Sequence, residues 1–329
     1  DVGRLRTAIA YRSAPGDLAA AAALDLRRGR TRISAAAEQA YFTNDEWIRG
    51  DLENSLKFAW SGRDYRNYYR AERFYAEAAH AGEGRVWAWK AALRAGTEHA
   101  RSLPARDPWT FFGDGDRPNP PVDDGRINSI VGQGAIAWKG RSAALRLGSA
   151  LEAATDLAGG DFSFARFILD GEWTMLALAD HTLEIEWRFQ GPLPGTRSLP
   201  RQRWTFVGGS GTLKTFPIAR FPGDRLVFVE TDYIIPFPPS FRFPILGEPH
   251  LEIEHAAAMA WTADVRPPLE QNVALRLQFF GFYARIVTNP ARLTDSELDF
   301  GLEWPFNHSP RWERGLDAEV PLTQTLLDR

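Results

Sequence analysis

Few stretches of this chain have residue types and spacing that could do chemistry. The run Val207–Pro217, VGGSGTLKTFP, has glycines at 208, 209 and 211, one cation at Lys214, and Phe216 before a proline. A glycine-rich run ending near a lysine invites a phosphate-loop reading. That loop needs Gly-Lys-Ser/Thr at its end and a helix opening behind it. Here Lys214 follows Leu213, and Pro217 and Pro222 stop any helix. The dinucleotide pattern fails as well, because its third glycine is missing. In HLEIEH, His250, Glu252 and Glu254 alternate along one face, residue types that ligate metals. Neighbours at i and i+2 on a strand lie ~6.5–7 Å apart, too far for easy chelation. A salt-bridged polar wall is the plainer reading. GDGDRPNPPVDDG is rich in aspartate like a calcium loop but lacks the acid at its twelfth position. His99, His181 and His308 have no nucleophile or acid at a catalytic spacing. The chain has no cysteine, which removes thiol nucleophiles, disulfides and Cys-ligated metals. The expectation is no enzyme, no catalytic residue, no metal and no cofactor.

The elements that position the glycine-rich run have a period of two. In TLEIEWRFQ, Leu183, Ile185, Trp187 and Phe189 alternate with Glu184, Glu186 and Arg188. In ARFILDGEWTM, Phe167, Leu169 and Trp173 oppose Arg166, Asp170 and Glu172. LENSLKFAW and LDFGLEWPF alternate in the same way. Side chains that switch faces at every residue mark strands with one apolar and one polar face. On this basis strands are expected near 4–12, 17–27, 31–42, 51–60, 65–79, 85–99, 126–139, 141–153, 162–177, 181–190, 225–235, 250–262, 273–287 and 296–304. The Ala-rich strands between 17 and 40 also suit helices on propensity alone. Longer connections fall at 100–125, 191–224 and 236–249, with a tail or unrecognised last strand at 305–329. No linker or repeat divides residues 1–304, so one domain is expected.

The architecture that fits is all-β, a transmembrane antiparallel β-barrel with about fourteen recognised strands. The expected lengths exceed the 5–6 residues usual in soluble sheets and suit the ~9–11 of a membrane strand. The chain has 21 Phe and 12 Trp, and a strand face that gathers so many aromatics suits lipid better than a closed core. Tyr11, Tyr41, Trp60, Trp261 and Trp304 stand near strand ends, where an aromatic girdle belongs. A net charge of −3 gives no basic field for nucleic acid. The competing reading is a soluble all-β ligand-binding protein, with the apolar faces turned inward.

Placed on such a barrel, GGSGTLKTFP, then GDRLVFVETDYIIPF and HLEIEHAAAMAWTAD, resemble the BamA/TamA-type outer-membrane barrels, the bacterial surface antigen family. The resemblance covers about 126 to 304. It implies a 16-stranded barrel whose loop after the eleventh strand folds back into the lumen. Gly208, Gly209, Gly211, Leu213, Lys214 and Phe216 occupy the motif on that loop, and Gly223-Asp224 a second motif. The chain departs from the family at Lys214 and Thr215, which replace arginine and glycine, and at Ala256–Ala258, which replace Asp-Ala-Gly. Ten strands are expected before the loop. The resemblance then places 100–125 outside the cell and the Lys139–Gly140 turn in the periplasm.

On strand 225–235, Glu230 and Asp232 share the lumenal face, so Lys214 is expected to dock on one of them. The alternative is that Lys214 is a solvated loop charge. The implied function is insertion or translocation of proteins or other envelope components in the bacterial outer membrane, with lipid and client proteins as partners. A non-transporting anchor or scaffold is the alternative within the fold.

Overall fold

The computed structural model describes residues 2–12, 17–48, 54, 55, 58, 62, 64–103, 119–209, 211–238, 249–279 and 282–302. Its strands are β1 (Val2–Arg12), β2 (Asp17–Arg28), β3 (Thr31–Phe42), β4 (Tyr69–Glu83), β5 (Trp87–Arg101), β6 (Gly125–Lys139), β7 (Ala143–Thr155) and β8 (Phe164–Leu176). They continue with β9 (Thr182–Pro192), β10 (Thr205–Val207), β11 (Phe221–Gly223), β12 (Arg225–Pro236), β13 (His250–Trp261), β14 (Glu270–Phe279), β15 (Phe282–Asn289) and β16 (Arg292–Leu302). Fourteen of them form one antiparallel sheet in chain order, while β10 and β11 form a separate ribbon inside the connection between β9 and β12. β1 and β16 end this order, so among the described residues each pairs on one side only.

The faces are sorted opposite to a soluble core. Leu5, Ile9, Phe74, Leu93, Ile130, Leu151, Ile253, Leu275 and Phe300 are exposed. Glu38, Glu77, Glu98, Glu152, Arg166, Arg188, Glu254 and Arg285 are buried. The sheet curls around these polar side chains. Trp47, just after β3, meets Phe228 of β12 edge-on at 5.2 Å between centroids. Gln190 of β9 donates to the Arg203 carbonyl of the enclosed connection at 2.9 Å, so Leu183, Ile185, Trp187 and Phe189 point away from it. Apolar faces outward and charges inward are what a bilayer demands of a barrel.

The strands alternate in direction, which puts the connections after β3, β5, β7 and β9 at one end of the sheet. The opposite end carries the short turns after β2, β4, β6 and β8. The connections after β5 and β9 therefore leave from the same end, residues 104–118 of the first lying outside the described residues, and the Lys139–Gly140 turn lies at the other. Trp87 and Trp138, cross-strand partners, are exposed at the short-turn end, with Trp173 near it. Of the expected girdle, Tyr11 is exposed and Trp261 half-buried, but Tyr41 is buried. Trp60 and Trp304 lie outside the described residues.

Three expectations are corrected. Within the expected strand 51–60, the described residues Asn54, Ser55 and Phe58 are helical, and Gly62 N–H bonds Phe58 C=O at 2.8 Å; the other seven lie outside the described residues. Leu52, Leu56 and Trp60 repeat at four residues, which is helical spacing as much as it is alternation. The run 273–287 is a hairpin, with Phe279 opposite Phe282. Residues 280 and 281 lie outside the described residues, and in the sequence Gly281 is the only break in the apolar alternation there. These differences offset each other in the total, but nine strands of the main sheet precede the inward connection and five follow it, instead of ten and four.

Candidate functional site

The connection 193–224 packs as a compact body against the inner wall. Its base is tied by Asp224, fully buried, whose carboxylate accepts from Leu199 N–H at 3.0 Å and from Arg225 at 2.6 Å. Gly223 is required beside it, because a Cβ there would strike the Trp261 backbone of β13. A single 3-10 turn, Arg201–Arg203, follows, and then the β10–β11 ribbon. Between the two strands of the ribbon lies the tip with the glycine motif.

Gly208 has φ +123° and faces the Pro217 carbonyl, a geometry closed to other residues. Gly209 N–H is shared by the Leu213 and Phe216 carbonyls, each at 3.0 Å. Gly211 lies in the turn. Thr212 Oγ1 accepts from Gly208 N–H at 2.8 Å, and Thr212 N–H bonds Gly209 C=O at 3.0 Å. Leu213, fully buried, packs with Val207, Leu226, Phe228, Ala258 and Ala260, and Phe216 borders that cluster. The small side chains of Ala256, Ala258 and Ala260 on β13 leave room for this approach. The tip is therefore packed and hydrogen-bonded before any charge is considered.

Lys214 supplies the charge, and it docks. Its Nζ lies 2.6 Å from Glu230 Oε1 on β12 and 2.7 Å from Glu254 Oε2 on β13. Burial works against the ammonium, but the fields of Glu230 and then Glu254 outweigh it and raise the lysine pKa. Arg285 of β15 completes the cluster, 3.6 Å from Glu254 and 2.5 Å from Asp299 of β16. Thr215, where the family motif has glycine, bonds Asn272 of β14 twice: N–H to Oδ1 at 3.1 Å, and Oγ1 accepting from Nδ2 at 2.7 Å. Of the two expected partners, Glu230 makes the contact. Asp232 shares the face, but its Oδ1 accepts no hydrogen bond among the described residues. Glu254 takes the second position. It stood in the HLEIEH run read as polar wall, where Glu252 pairs with Arg276 at 3.2 Å.

A second anchor went unrecognised in the sequence. Arg203, in the 3-10 turn, is buried to 4 % exposure. Its Nε donates to Glu152 Oε2 at 3.1 Å and its Nη2 to Glu152 Oε1 at 3.0 Å, a bidentate pair with β7. Its Nη1 donates to Glu98 of β5 at 2.7 Å and to the Tyr69 hydroxyl of β4 at 3.2 Å. Arg73 and Arg166 flank the cluster, each 2.6 Å from Glu98 and Glu152 respectively. Burial opposes the charge on Arg203 too, but Glu152 and Glu98 raise its pKa well above the usual value. The signal was present in the inward parity of Glu98 and Glu152, two acids lacking an assigned cation. Arg203 is thus tied to β4, β5 and β7, and Lys214 to β12 and β13.

No protein-family model matches the sequence, and no curated protein matches it. Solved structures do resemble the fold. CdiB from Acinetobacter baumannii superposes with a TM-score of 0.52 at 11% identity, covering 87% of this chain and 50% of that one. CdiB from Escherichia coli gives 0.50 at 11% identity, covering 86% and 52%. BamA from Haemophilus ducreyi lacking POTRA domains 1–3 gives 0.49 at 10% identity, covering 91% and 69%. The chain spans about half the length of the CdiB structures it matches. At these identities the likeness is one of fold, and the fold is the β-barrel of the CdiB structures.

Proposed function

We propose that this chain is the membrane barrel of a bacterial outer-membrane protein that inserts or translocates proteins or other envelope components. The supporting observation is an apolar outer face around a charged lumen that holds an inward loop, with Lys214 on Glu230 and Glu254. In this reading the first and last strands of the complete barrel part, offering backbone hydrogen bonds to an incoming strand. The end carrying 102–124 and 193–224 faces the exterior, and the Lys139–Gly140 turn faces the periplasm. Bilayer lipid and client chains are the partners, and no catalysis is assigned.

A second reading is an anchor or scaffold. Its support is the bracing of one loop on two walls by Arg203 and Lys214, which suits a fixed barrel as well as a working one. One experiment separates them. Vesicles carrying the chain are mixed with a urea-unfolded outer-membrane barrel, and the protease-protected folded product is followed in time. Faster folding than in empty vesicles supports insertion. Equal rates, with the chain itself correctly inserted, leave the scaffold reading.

A further inference from the structure

Residues 43–48 and 64–68, in the connection between β3 and β4, also enter the lumen, from the same end as the inward loop. Asn44 donates through Nδ2 to two backbone carbonyls of that loop, Gln202 and Trp204. Trp47 packs against the cluster that contains Leu213 and Val207, edge-on to Phe228 and with Arg188 5.3 Å from its ring centre. Tyr65, also buried, lies so close to Gly209 that a Cβ there would meet its ring at 3.4 Å. Asp45 closes the connection on itself, accepting from Asn67 N–H at 3.0 Å. The ionic anchors tie the loop to the wall, and these residues cover it from the open end.

We propose that residues 43–48 and 64–68 are a latch on the inward loop, and that the loop leaves the lumen only after Asn44 and Trp47 lift off it. Two features make this a two-position element. The latch holds the loop through backbone carbonyls and ring packing, whereas ion pairs hold the loop to the wall. The Trp47 indole N–H is buried with no acceptor among the described residues, a cost that ends when the ring swings out to water. The proposal needs only the enclosed loop and is independent of whether the barrel transports anything.

The chain has no cysteine, so Leu213→Cys gives a single thiol beneath the latch. Its rate of maleimide labelling, in protein reconstituted into vesicles, reads the exposure of the loop. Asn44→Ala and Trp47→Ala should each speed labelling about tenfold, the scale of one buried hydrogen bond or more. Trp47→Phe should restore the slow rate. Ala36→Cys, buried with Ala23 and Tyr75 in a cluster that contains no residue of the inward loop, should not respond. Unchanged Leu213→Cys labelling in both latch variants overturns the proposal, and so does an equal rise at Ala36→Cys, which would mean general loosening. If the chain does not enter vesicles, the membrane reading fails. The same labelling in aqueous buffer then still decides the latch.

Discussion

Lys214→Ala should be among the costliest single changes in this chain. The ammonium lies 2.6 Å from Glu230 and 2.7 Å from Glu254, and the three side chains are 7%, 16% and 4% exposed. At an effective dielectric near 20, each contact has a gross attraction of about 6 kcal/mol before desolvation is subtracted. Desolvating the ions cancels much of that, but alanine leaves the acids buried without their cation. Arg285 remains 3.6 Å from Glu254, while no second ion pair to Glu230 occurs among the described residues. Breaking such a pair from one side costs about 3–5 kcal/mol. The assay is urea unfolding in vesicles, followed by tryptophan fluorescence and by the gel shift of the folded barrel. A double-mutant cycle of Lys214→Ala with Glu230→Gln should give a coupling of about 1–3 kcal/mol, and the cycle with Asp232→Asn a smaller one. Lys214→Arg, which can fork between the two acids, should stay within about 1 kcal/mol of wild type. A loss under about 1 kcal/mol for Lys214→Ala, the scale of an exposed pair, would refute the anchor. So would stronger coupling to Asp232 than to Glu230.

Three more outcomes are expected. Leu93→Arg places a charge on the exposed face in the middle of β5, and should cost about 2–4 kcal/mol in vesicles if that face meets lipid; a change within about 0.5 kcal/mol, as on a soluble surface, would favour the soluble reading. Because the folded pKa of Lys214 is raised above its unfolded value of ~10.4, its contribution is complete below that pH and is lost as pH rises toward the folded value. Urea midpoints should therefore fall more steeply above about pH 10 in wild type than in Lys214→Arg. Arg203→Met removes the other anchor but leaves Arg73 on Glu98 and Arg166 on Glu152, so the same urea assay should show about 1–3 kcal/mol, less than for Lys214→Ala.

What was legible in the sequence follows from where the information lies. Alternation is local, and a bilayer outside with charge inside enforces it on every strand, so β6 to β9 and β12 to β13 were placed within about two residues. Asn54, Ser55 and Phe58 broke the reading because helical and alternating patterns coincide over short runs. Lys214 was found because glycines at 208, 209 and 211 announce a folded tip, and Glu230 was found from strand parity. Glu254 and Arg203 were missed because each depends on register between strands far apart in sequence. Glu254 sits opposite Asp232, one strand over, and only the pairing of β12 with β13 shows it. Arg203 reaches Glu98 and Glu152 across connections that carry no such periodicity.

The two anchors differ in a way that bears on how the curled sheet is held. Apolar packing between loop and wall is confined to patches such as those around Leu213 and Leu199, because much of the inner wall is charged while the outer face is apolar. Cohesion across the lumen then also needs specific pairs, and specific pairs need a carrier that spans it. The connection 193–224 is that carrier: Arg203 ties it to β4, β5 and β7, and Lys214 ties it to β12 and β13. The Arg203 side is redundant, with flanking arginines that keep both acids paired when the loop lets go. The Lys214 side has no such reserve at Glu230 among the described residues. Freeing the loop therefore leaves the β4–β8 wall electrostatically whole and the β12 wall short of one cation. The wall expected to rearrange first when the loop moves is that of β12 and β13.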